Sequence, residues 1–134
     1  MKRTKNPAKE AEYRKRAADL VAQMTLHEKV SQMLSWAPAI ERLGIPAYNW
    51  WSEGIHGVGR AGTATVFPQA IGMAAAFDED MMEQVGNAIG VEARGKYNMC
   101  RAHGDRDIFK GLTVWAPNIN IFRDPRWGRG HETY

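Results

Sequence analysis

Residues 47–57 read Ala-Tyr-Asn-Trp-Trp-Ser-Glu-Gly-Ile-His-Gly, an apolar and aromatic run that becomes polar and glycine-rich after Trp51. A run of this kind, entered from a proline and left through glycines, predicts a short buried strand over 47–51. A second apolar and β-branched run covers 112–116, and the segment between the two has helical periodicity. Two strands joined through a helix indicate a βαβ unit in a parallel sheet, and therefore an α/β fold.

Two helices are predicted before the first strand. Asn6 and Pro7 provide a cap and a first-turn proline, and apolar residues then recur at helical spacing up to Met24. Thr25 and Glu28 form a T-x-x-E capping box that starts a second, shorter helix. The stripe predicted to be buried on this second helix consists of Val30, Met33 and Leu34.

Glycines and acidic residues organise the segment after the first strand. Residues 52–65 contain four glycines without periodicity and are predicted to form a long loop, which is typical of functional segments. A small helix is expected over 67–75, and Asp78, Glu79 and Asp80 then place negative charge at the start of another helix. Its apolar face is predicted to comprise Met82, Val85, Ile89 and Ala93, and Arg94 and Lys96 suit its far end.

Composition places few limits on function. The 134 residues, 44% hydrophobic and 25% charged, are typical of an ordinary soluble domain. The start of the chain lacks the apolar run of a secretory signal, and no stretch approaches the ~18 apolar residues of a membrane span, so a cytoplasmic location without membrane partners is expected. Cys100 is the only cysteine, which excludes an internal disulfide.

The excess positive charge lies at the beginning of the chain. The net charge is +3, and much of it comes from seven basic residues that face only Glu10 and Glu12. A nucleic-acid-binding arm is one interpretation, but a solvated helix face is the commoner outcome, and no nucleic-acid partner is predicted. The basic residues are Lys2, Arg3, Lys5, Lys9, Arg14, Lys15 and Arg16.

Two segments, 48–57 and 118–134, follow the predicted strands and are candidates for a ligand site, because ligands bind at the carboxyl ends of parallel strands. Their side chains suit a sugar. A carboxylate such as Glu53 accepts hydrogen bonds from hydroxyls, an arginine such as Arg129 donates from its planar fork, and tryptophan offers a face to pyranose C–H groups. The alternative is that the tryptophans fill a core and the charged groups pair locally.

Metal and phosphate sites are the less favoured interpretations. Glu53, His56, His131 and Glu132 are possible metal ligands, but Gly54 and its neighbours argue against a helical metal motif. Neither glycine pattern of a phosphate-binding loop occurs. No metal or cofactor is therefore predicted, and the arginine-rich 123–129 segment is expected to be neutralised by its own acidic neighbours.

Four motifs, in order, resemble the start of family 3 glycoside hydrolases. They are Ala18 to Met33, Trp50-Trp51-Ser52-Glu53-Gly54-Ile55-His56-Gly57, Ala64 to Gln69, and Arg123-Asp124-Pro125-Arg126-Trp127-Gly128-Arg129. The resemblance covers nearly the whole chain, and two of the motifs are long and rich in rare residues. Gly54 stands where alanine is common in the family and His27 where glutamate is common, and neither position is expected to contact sugar.

The resemblance implies a (β/α)₈ barrel followed by an α/β sandwich, and retaining, exo-acting cleavage of β-linked sugars from non-reducing ends. A complete barrel needs ~250 residues, so the chain is expected to supply only the first few β/α units of an incomplete barrel. In this interpretation residues 1–24 are an amphipathic helical segment and 25–134 the first portion of the barrel domain. An uncovered sheet edge and apolar face are expected as a consequence.

The resemblance also implies roles for individual residues. Retention needs two carboxylates about 5 to 5.5 Å apart, but the family's nucleophilic aspartate, its acid/base glutamate and a Lys-His pair all lie later than Tyr134. The chain alone is therefore predicted to contain no catalytic residue and to be inactive. Glu53 matches the acidic residue that binds hydroxyls of the non-reducing sugar, and Arg129 matches its arginine partner.

The predicted substrate-binding residues are Glu53, Arg129, Trp51, Trp50 and His56, and the expected substrate is a β-linked oligosaccharide or an aryl glycoside. The Trp-Trp-Ser-Glu context resembles the xylosidase-like branch of the family. The hypothesis is that the glutamate, longer than the aspartate of glucose-preferring members, and a neighbouring tryptophan crowd the space of a C6 hydroxymethyl. β-Xylosidase is favoured over β-glucosidase, and a non-catalytic carbohydrate-binding module is the alternative.

Overall fold

A computed structural model describes residues 6–134. The chain divides after Ala47 into two compact units, 6–47 and 48–134, each with helices and very short strands. The boundary predicted after residue 24 stays a prediction. No helix within 6–134 has the length and apolarity needed to cross a membrane.

The first unit contains helix α1 (Pro7–Gln23), helix α2 (Leu26–Ser31) and strand β1 (Trp36–Ala37). Asn6 caps α1 by accepting the Lys9 backbone N–H at 3.2 Å, so the predicted start is confirmed. Lys2, Arg3 and Lys5 of the basic start lie outside the described residues. On α1, Glu10 pairs with Arg14 and Asp19 with Lys15, which neutralises part of the predicted basic segment.

The capping box of α2 is confirmed, and a long-range arginine reinforces it. The Thr25 hydroxyl accepts the Glu28 backbone N–H at 3.2 Å, and Glu28 Oε2 accepts the Thr25 N–H at 2.8 Å. Arg42 donates to both Glu28 oxygens and to the carbonyl of Gln23. The guanidinium thus ties the α1–α2 junction to the turn Glu41–Leu43.

The pKa of Glu28 offers a direct check of this contact. The hydrogen bond from Arg42, followed by the bond from the Thr25 N–H, lowers the pKa of Glu28 from its ordinary 4.5 to about 2. Because the pKa of Glu28 is lower in the folded state than in the unfolded state, the ionised carboxylate stabilises the fold at pH values above 4.5. This contribution to stability is lost as the pH falls from 4.5 through about 2.

In Arg42→Met we expect the ¹³C NMR titration midpoint of Glu28 to rise towards 4.5. We also expect the variant to be less stable than the original chain above pH 4.5 and equally stable near pH 2. Arg14→Met, which removes an exposed Arg–Glu pair on α1, is the matched control. An unchanged midpoint in Arg42→Met would contradict the contact.

The buried stripe predicted for α2 is wrong. Val30, Met33 and Leu34 are 56%, 78% and 65% exposed. Capping depends on neighbours three residues away, whereas burial requires a second apolar surface. Among residues 6–134 the buried apolar side chains are small or medium-sized: Ala37 and Ile40 in the first unit, and Val58, Ala70, Met73 and Ala93 in the second. Several large apolar side chains are therefore exposed, and the uncovered sheet edge and apolar face expected of an incomplete barrel stay predictions.

The second unit contains strand β2 (Tyr48–Asn49), helix α3 (Ala70–Ala74) and helix α4 (Glu79–Ala102). Asp78 caps α4 by accepting the Met81 N–H at 2.8 Å, as its acidic start predicts. The helix continues past the predicted end near Lys96 to Ala102, and it stops before Gly104, which has a left-handed φ of 73°. Its predicted apolar face lines an apolar cavity of about 460 Å³ together with Val114 and Pro117.

The two predicted strands meet, but over fewer residues than expected. Ser52 and Val114 form a parallel bridge, and α4 lies between them in sequence, which agrees with the predicted βαβ order. The neighbouring hydrogen bonds are irregular: Leu112 N–H donates to the side-chain hydroxyl of Tyr48, and Phe109 N–H donates to the Trp51 carbonyl. Regular strands need a ladder of partners, and a single bridge does not provide one. Across 6–134 a mixed helix and strand organisation is therefore confirmed, and the (β/α)₈ barrel stays a prediction.

Candidate functional site

A cavity of about 620 Å³ lies within the second unit, next to the predicted loop after β2. Its volume falls in the roughly 300–1,000 Å³ range of small-molecule sites. Four of the five predicted binding residues, Trp51, Glu53, His56 and Arg129, lie in its walls. The remaining wall residues are Ile55, Arg60, Gln69, Trp115, Asn118 and Glu132. The two sequence segments proposed for the site are thus brought to one cavity.

Backbone hydrogen bonds between the two predicted strands and the residues that flank them account for this convergence. Phe109 N–H donates to the Trp51 carbonyl at 2.8 Å, and Trp115 N–H donates to the Ser52 carbonyl at 3.0 Å. The Ser52–Val114 bridge fixes the register, so the residues that follow both segments emerge on the same side. A second parallel bridge, Asn118–Thr133, returns the end of the chain to the cavity.

Three tryptophans stack at the edge of the cavity. The rings of Trp51 and Trp115 are 4.6 Å apart between centroids and inclined by 24°, and Trp50 lies 6.1 Å from Trp115 at 11°. Trp51 and Trp115 are 37% and 52% exposed, so each retains a solvent-accessible surface. Trp50 does not line the cavity but stacks on Trp115, which does. The predicted binding role of Trp50 stays a prediction.

Glu53 is held by an arginine that the sequence did not single out. Arg60 Nε donates to Glu53 Oε2 at 2.9 Å. Within 6–134, Glu53 Oε1 has no hydrogen-bond partner, so one oxygen is anchored and the other is available to a ligand. The arrangement presents an acceptor at a defined place in the wall of the cavity.

Arg129 forms the second ion pair of the cavity, with Glu132. Its Nε donates to both carboxylate oxygens at 3.0 and 3.1 Å, and its Nη2 donates to Oε2. The hydrogen bond from Arg129 is the main reason that the pKa of Glu132 lies below its usual value, and the nearby His56 adds to the effect. Arg129 Nη1 is without a partner in the described part of the chain and can donate to a ligand.

His56 is oriented by the loop that it belongs to. Its Nδ1 lies 3.1 Å from the Phe67 carbonyl, and the Phe67 N–H donates to the His56 carbonyl at 2.8 Å. Because a carbonyl can only accept, Nδ1 carries the hydrogen in this contact, whatever the charge of the ring. The reciprocal pair fixes the imidazole at the wall of the cavity.

Sequence reasoning missed several wall residues. Arg60 lies in the turn Gly59–Ala61 inside the glycine-rich loop, and Trp115 lies in the second predicted strand. The position of Trp115 at the carboxyl end of that strand was a usable signal, because ligand sites collect there. Asn118 begins the second candidate segment but was not singled out, and nothing in the sequence pairs Arg60 with Glu53 or brings Gln69 to the cavity. Among residues 6–134, no group of three or more His, Cys, Asp or Glu side chains could hold a metal ion.

Comparison with known proteins agrees with the motifs. The profile described as the glycosyl hydrolase family 3 N-terminal domain matches residues 16–134, which include every wall residue of the cavity. The chain is 53% identical to probable beta-D-xylosidase 7 of Arabidopsis thaliana over 89% of its length. It is 47% identical to xylan 1,4-beta-xylosidase of Xylanibacter ruminicola over 90% of its length. It is also 45% identical to beta-xylosidase/alpha-L-arabinofuranosidase 2 of Medicago sativa subsp. varia over 88% of its length.

The chain is short beside these relatives. It spans 16%, 14% and 16% of their respective lengths. The similarity therefore concerns the amino-terminal domain, and the family match extends over most of the present chain. This chain belongs to glycoside hydrolase family 3, as part of the family's N-terminal domain.

Proposed function

We propose that the cavity is part of the first sugar subsite of a retaining, exo-acting β-glycosidase that prefers β-xylosides. The observation that carries the proposal is one cavity that combines the Trp51–Trp115 stack with two arginine–carboxylate pairs. An aromatic face suits the C–H surface of a pyranose, and the free Glu53 oxygen and Arg129 N–H suit its hydroxyls. The names of the relatives, which are β-xylosidases, support the substrate class.

The charges of the cavity favour a neutral ligand. Arg60 balances Glu53 and Arg129 balances Glu132, so the walls provide donors and acceptors without a net excess of either sign. A site built for a phosphate or a carboxylate would be expected to contain at least one arginine that is not paired with a carboxylate of the protein. The polar groups therefore support a polyhydroxylated neutral sugar.

The same ion pairs argue for binding and against catalysis within this chain. A general acid for glycoside hydrolysis needs a raised pKa so that it carries a proton near neutral pH. The pKa of Glu132 is lowered, and both of its oxygens accept hydrogen bonds from Arg129. A lowered pKa and a carboxylate held by Arg129 suit Glu132 to a structural role in the wall of the cavity better than to the role of a general acid. We propose that this chain contributes substrate binding without turnover of its own.

Binding and hydrolysis by the isolated 134-residue chain test this proposal. We expect millimolar binding of methyl β-D-xyloside, seen by NMR as shifts of the Trp51 and Trp115 indole signals, and no release of nitrophenol from aryl xylosides. Methyl β-D-glucoside should bind more weakly, because its C6 group would meet Glu53 and the tryptophans. Glu53→Asp shortens that side chain and should reduce the preference, whereas Glu83→Asp on the exposed face of α4 should not.

Each result of this test has a distinct meaning. Equal affinity for the two glycosides in the original chain would contradict the specificity, and no binding of either would contradict the subsite. Substituting residues 16–134 into the matching part of the Xylanibacter enzyme separates the two function classes. An active chimera supports the glycosidase subsite. Sugar binding by the chain with an inactive chimera would favour a binding module.

A further inference from the structure

Arg60, a wall residue outside the predicted motifs, is held in place by two contacts. Its Nε donates to Glu53 Oε2 at 2.9 Å, and its guanidinium carbon lies 5.1 Å from the centroid of the Phe109 ring. A guanidinium over an aromatic face is held electrostatically as well as by contact. Arg60 is therefore restrained on one side by an aromatic ring and on the other by the carboxylate.

Helix α4 anchors the loop that carries Arg60 at two points. The Glu92 carboxylate accepts the Thr65 N–H at 3.1 and 3.2 Å and the Thr65 hydroxyl at 2.6 Å. One turn further along, Lys96 Nζ donates to the Ala61 carbonyl at 2.8 Å. Residues four apart share a face of a helix, so α4 presents both anchors to the same loop. These contacts hold the loop at Ala61, which directly follows Arg60, and again at Thr65.

We propose that Arg60 is a positioning residue for Glu53: it fixes the carboxylate through Oε2 so that Oε1 is presented to a sugar hydroxyl. This inference rests on the proposed function, in which Glu53 binds the sugar. Arg60 and Glu53 side chains are 62% and 40% exposed, and exposed ion pairs add little to folding stability. The main effect of the Arg60–Glu53 ion pair is therefore to orient the Glu53 side chain and not to stabilise the fold.

The expected size of the effect follows from the cost of ordering a side chain on binding. A glutamate that is already held does not lose its rotamer freedom when the sugar arrives, and the saving corresponds to about threefold to tenfold in affinity. Removing Arg60 should weaken sugar binding by that factor. Removing Glu53 itself should cost considerably more, because a hydrogen bond to the sugar is then lost.

The experiment compares Arg60→Ala with the original 134-residue chain by NMR. Three-bond couplings across χ1 and χ2 of Glu53 are expected to change from values of one rotamer to averaged values, while the urea unfolding midpoint stays the same. Affinity for methyl β-D-xyloside should fall by about threefold to tenfold. Arg14→Ala removes an exposed arginine–glutamate pair on α1 and is the matched control, expected to change neither the couplings nor the affinity.

Two results would overturn the inference. Unchanged Glu53 couplings in Arg60→Ala would show that Arg60 does not position the carboxylate, whether or not the chain binds sugar. A loss of affinity as large as that of Glu53→Ala would mean that Arg60 contacts the sugar itself. If the couplings become averaged but the original chain binds no sugar, the positioning role stands and the proposed function fails.

Discussion

Replacing Glu53 with alanine is expected to lower kcat/KM for aryl β-xylosides by about a hundredfold in a chimera that carries residues 16–134 of this chain within the Xylanibacter enzyme. A hydrogen bond to a charged group contributes about 1.5–3 kcal/mol, or roughly tenfold to more than a hundredfold. The substitution also leaves Arg60 without its carboxylate partner in the wall of the cavity. Both effects act in the same direction.

Initial rates with p-nitrophenyl β-D-xyloside provide the measurement. Glu83→Ala, at an exposed position of α4, is the matched control and should leave kcat/KM unchanged. If Glu53 binds hydroxyls in the ground state and in the transition state alike, the loss appears mainly in KM; a loss in kcat indicates a bond that strengthens in the transition state. A decrease smaller than about threefold would be inconsistent with a charged hydrogen bond to the sugar.

Replacing Gly57 with alanine is expected to destabilise the chain by about 3 kcal/mol, because the residue combines a φ of 129° with a crowded site. A Cβ atom at position 57 would overlap the backbone carbonyl oxygen of Thr65. That carbonyl cannot easily retreat, since the Thr65 N–H and hydroxyl are bound by Glu92. The strained backbone and the overlap therefore add to each other.

Thermal unfolding followed by circular dichroism tests this expectation. Each kcal/mol lowers Tm by about 4–8 °C in a domain of roughly 60–100 residues, the size range of the unit 48–134, so a decrease of more than about 10 °C is expected. Gly59→Ala is the matched control two residues away: its φ is not in the left-handed region, and no atom lies within 4 Å of the added Cβ. The control should melt at or slightly above the original temperature. Equal melting of both variants would show that the Gly57 backbone is not restrained as described.

The Gly57 variant also links stability to the site. His56 and Phe67 bond to each other at the two ends of the loop that Gly57 enters, and Arg60 lies within it. A shift of the loop would displace a wall of the cavity. We therefore expect the loss of stability in Gly57→Ala to be accompanied by weaker sugar binding, whereas Glu53→Ala should change binding with little change in Tm.

Local chemistry allowed much of the fold to be predicted. The capping residues Asn6, Thr25 and Asp78 each bond to a backbone N–H three residues ahead, and the starts of these three helices were predicted correctly, whereas α3, which has no side-chain cap, begins at Ala70 and not at 67. The apolar stripes were less informative. Tyr13 and Val21 of α1 are 56% and 47% exposed, because a stripe at helical spacing shows which face could be buried and not whether a partner covers it.

The sequence by itself determined the family, the α/β order of the elements, the starts of α1, α2 and α4, and the membership of Trp51, Glu53, His56 and Arg129 in one candidate site. These features depend on motifs and on contacts between near neighbours. Only the tertiary structure decided that Arg60 holds Glu53, that Arg129 pairs with Glu132, and that Trp115 stacks on Trp51. The Glu53–Arg60 and Trp51–Trp115 contacts, like the anchoring of the loop by α4, depend on the path of the backbone through the glycine-rich loop and the Ser52–Val114 bridge. Spacing along the chain does not specify that path, because glycine permits many backbone conformations and packing selects one.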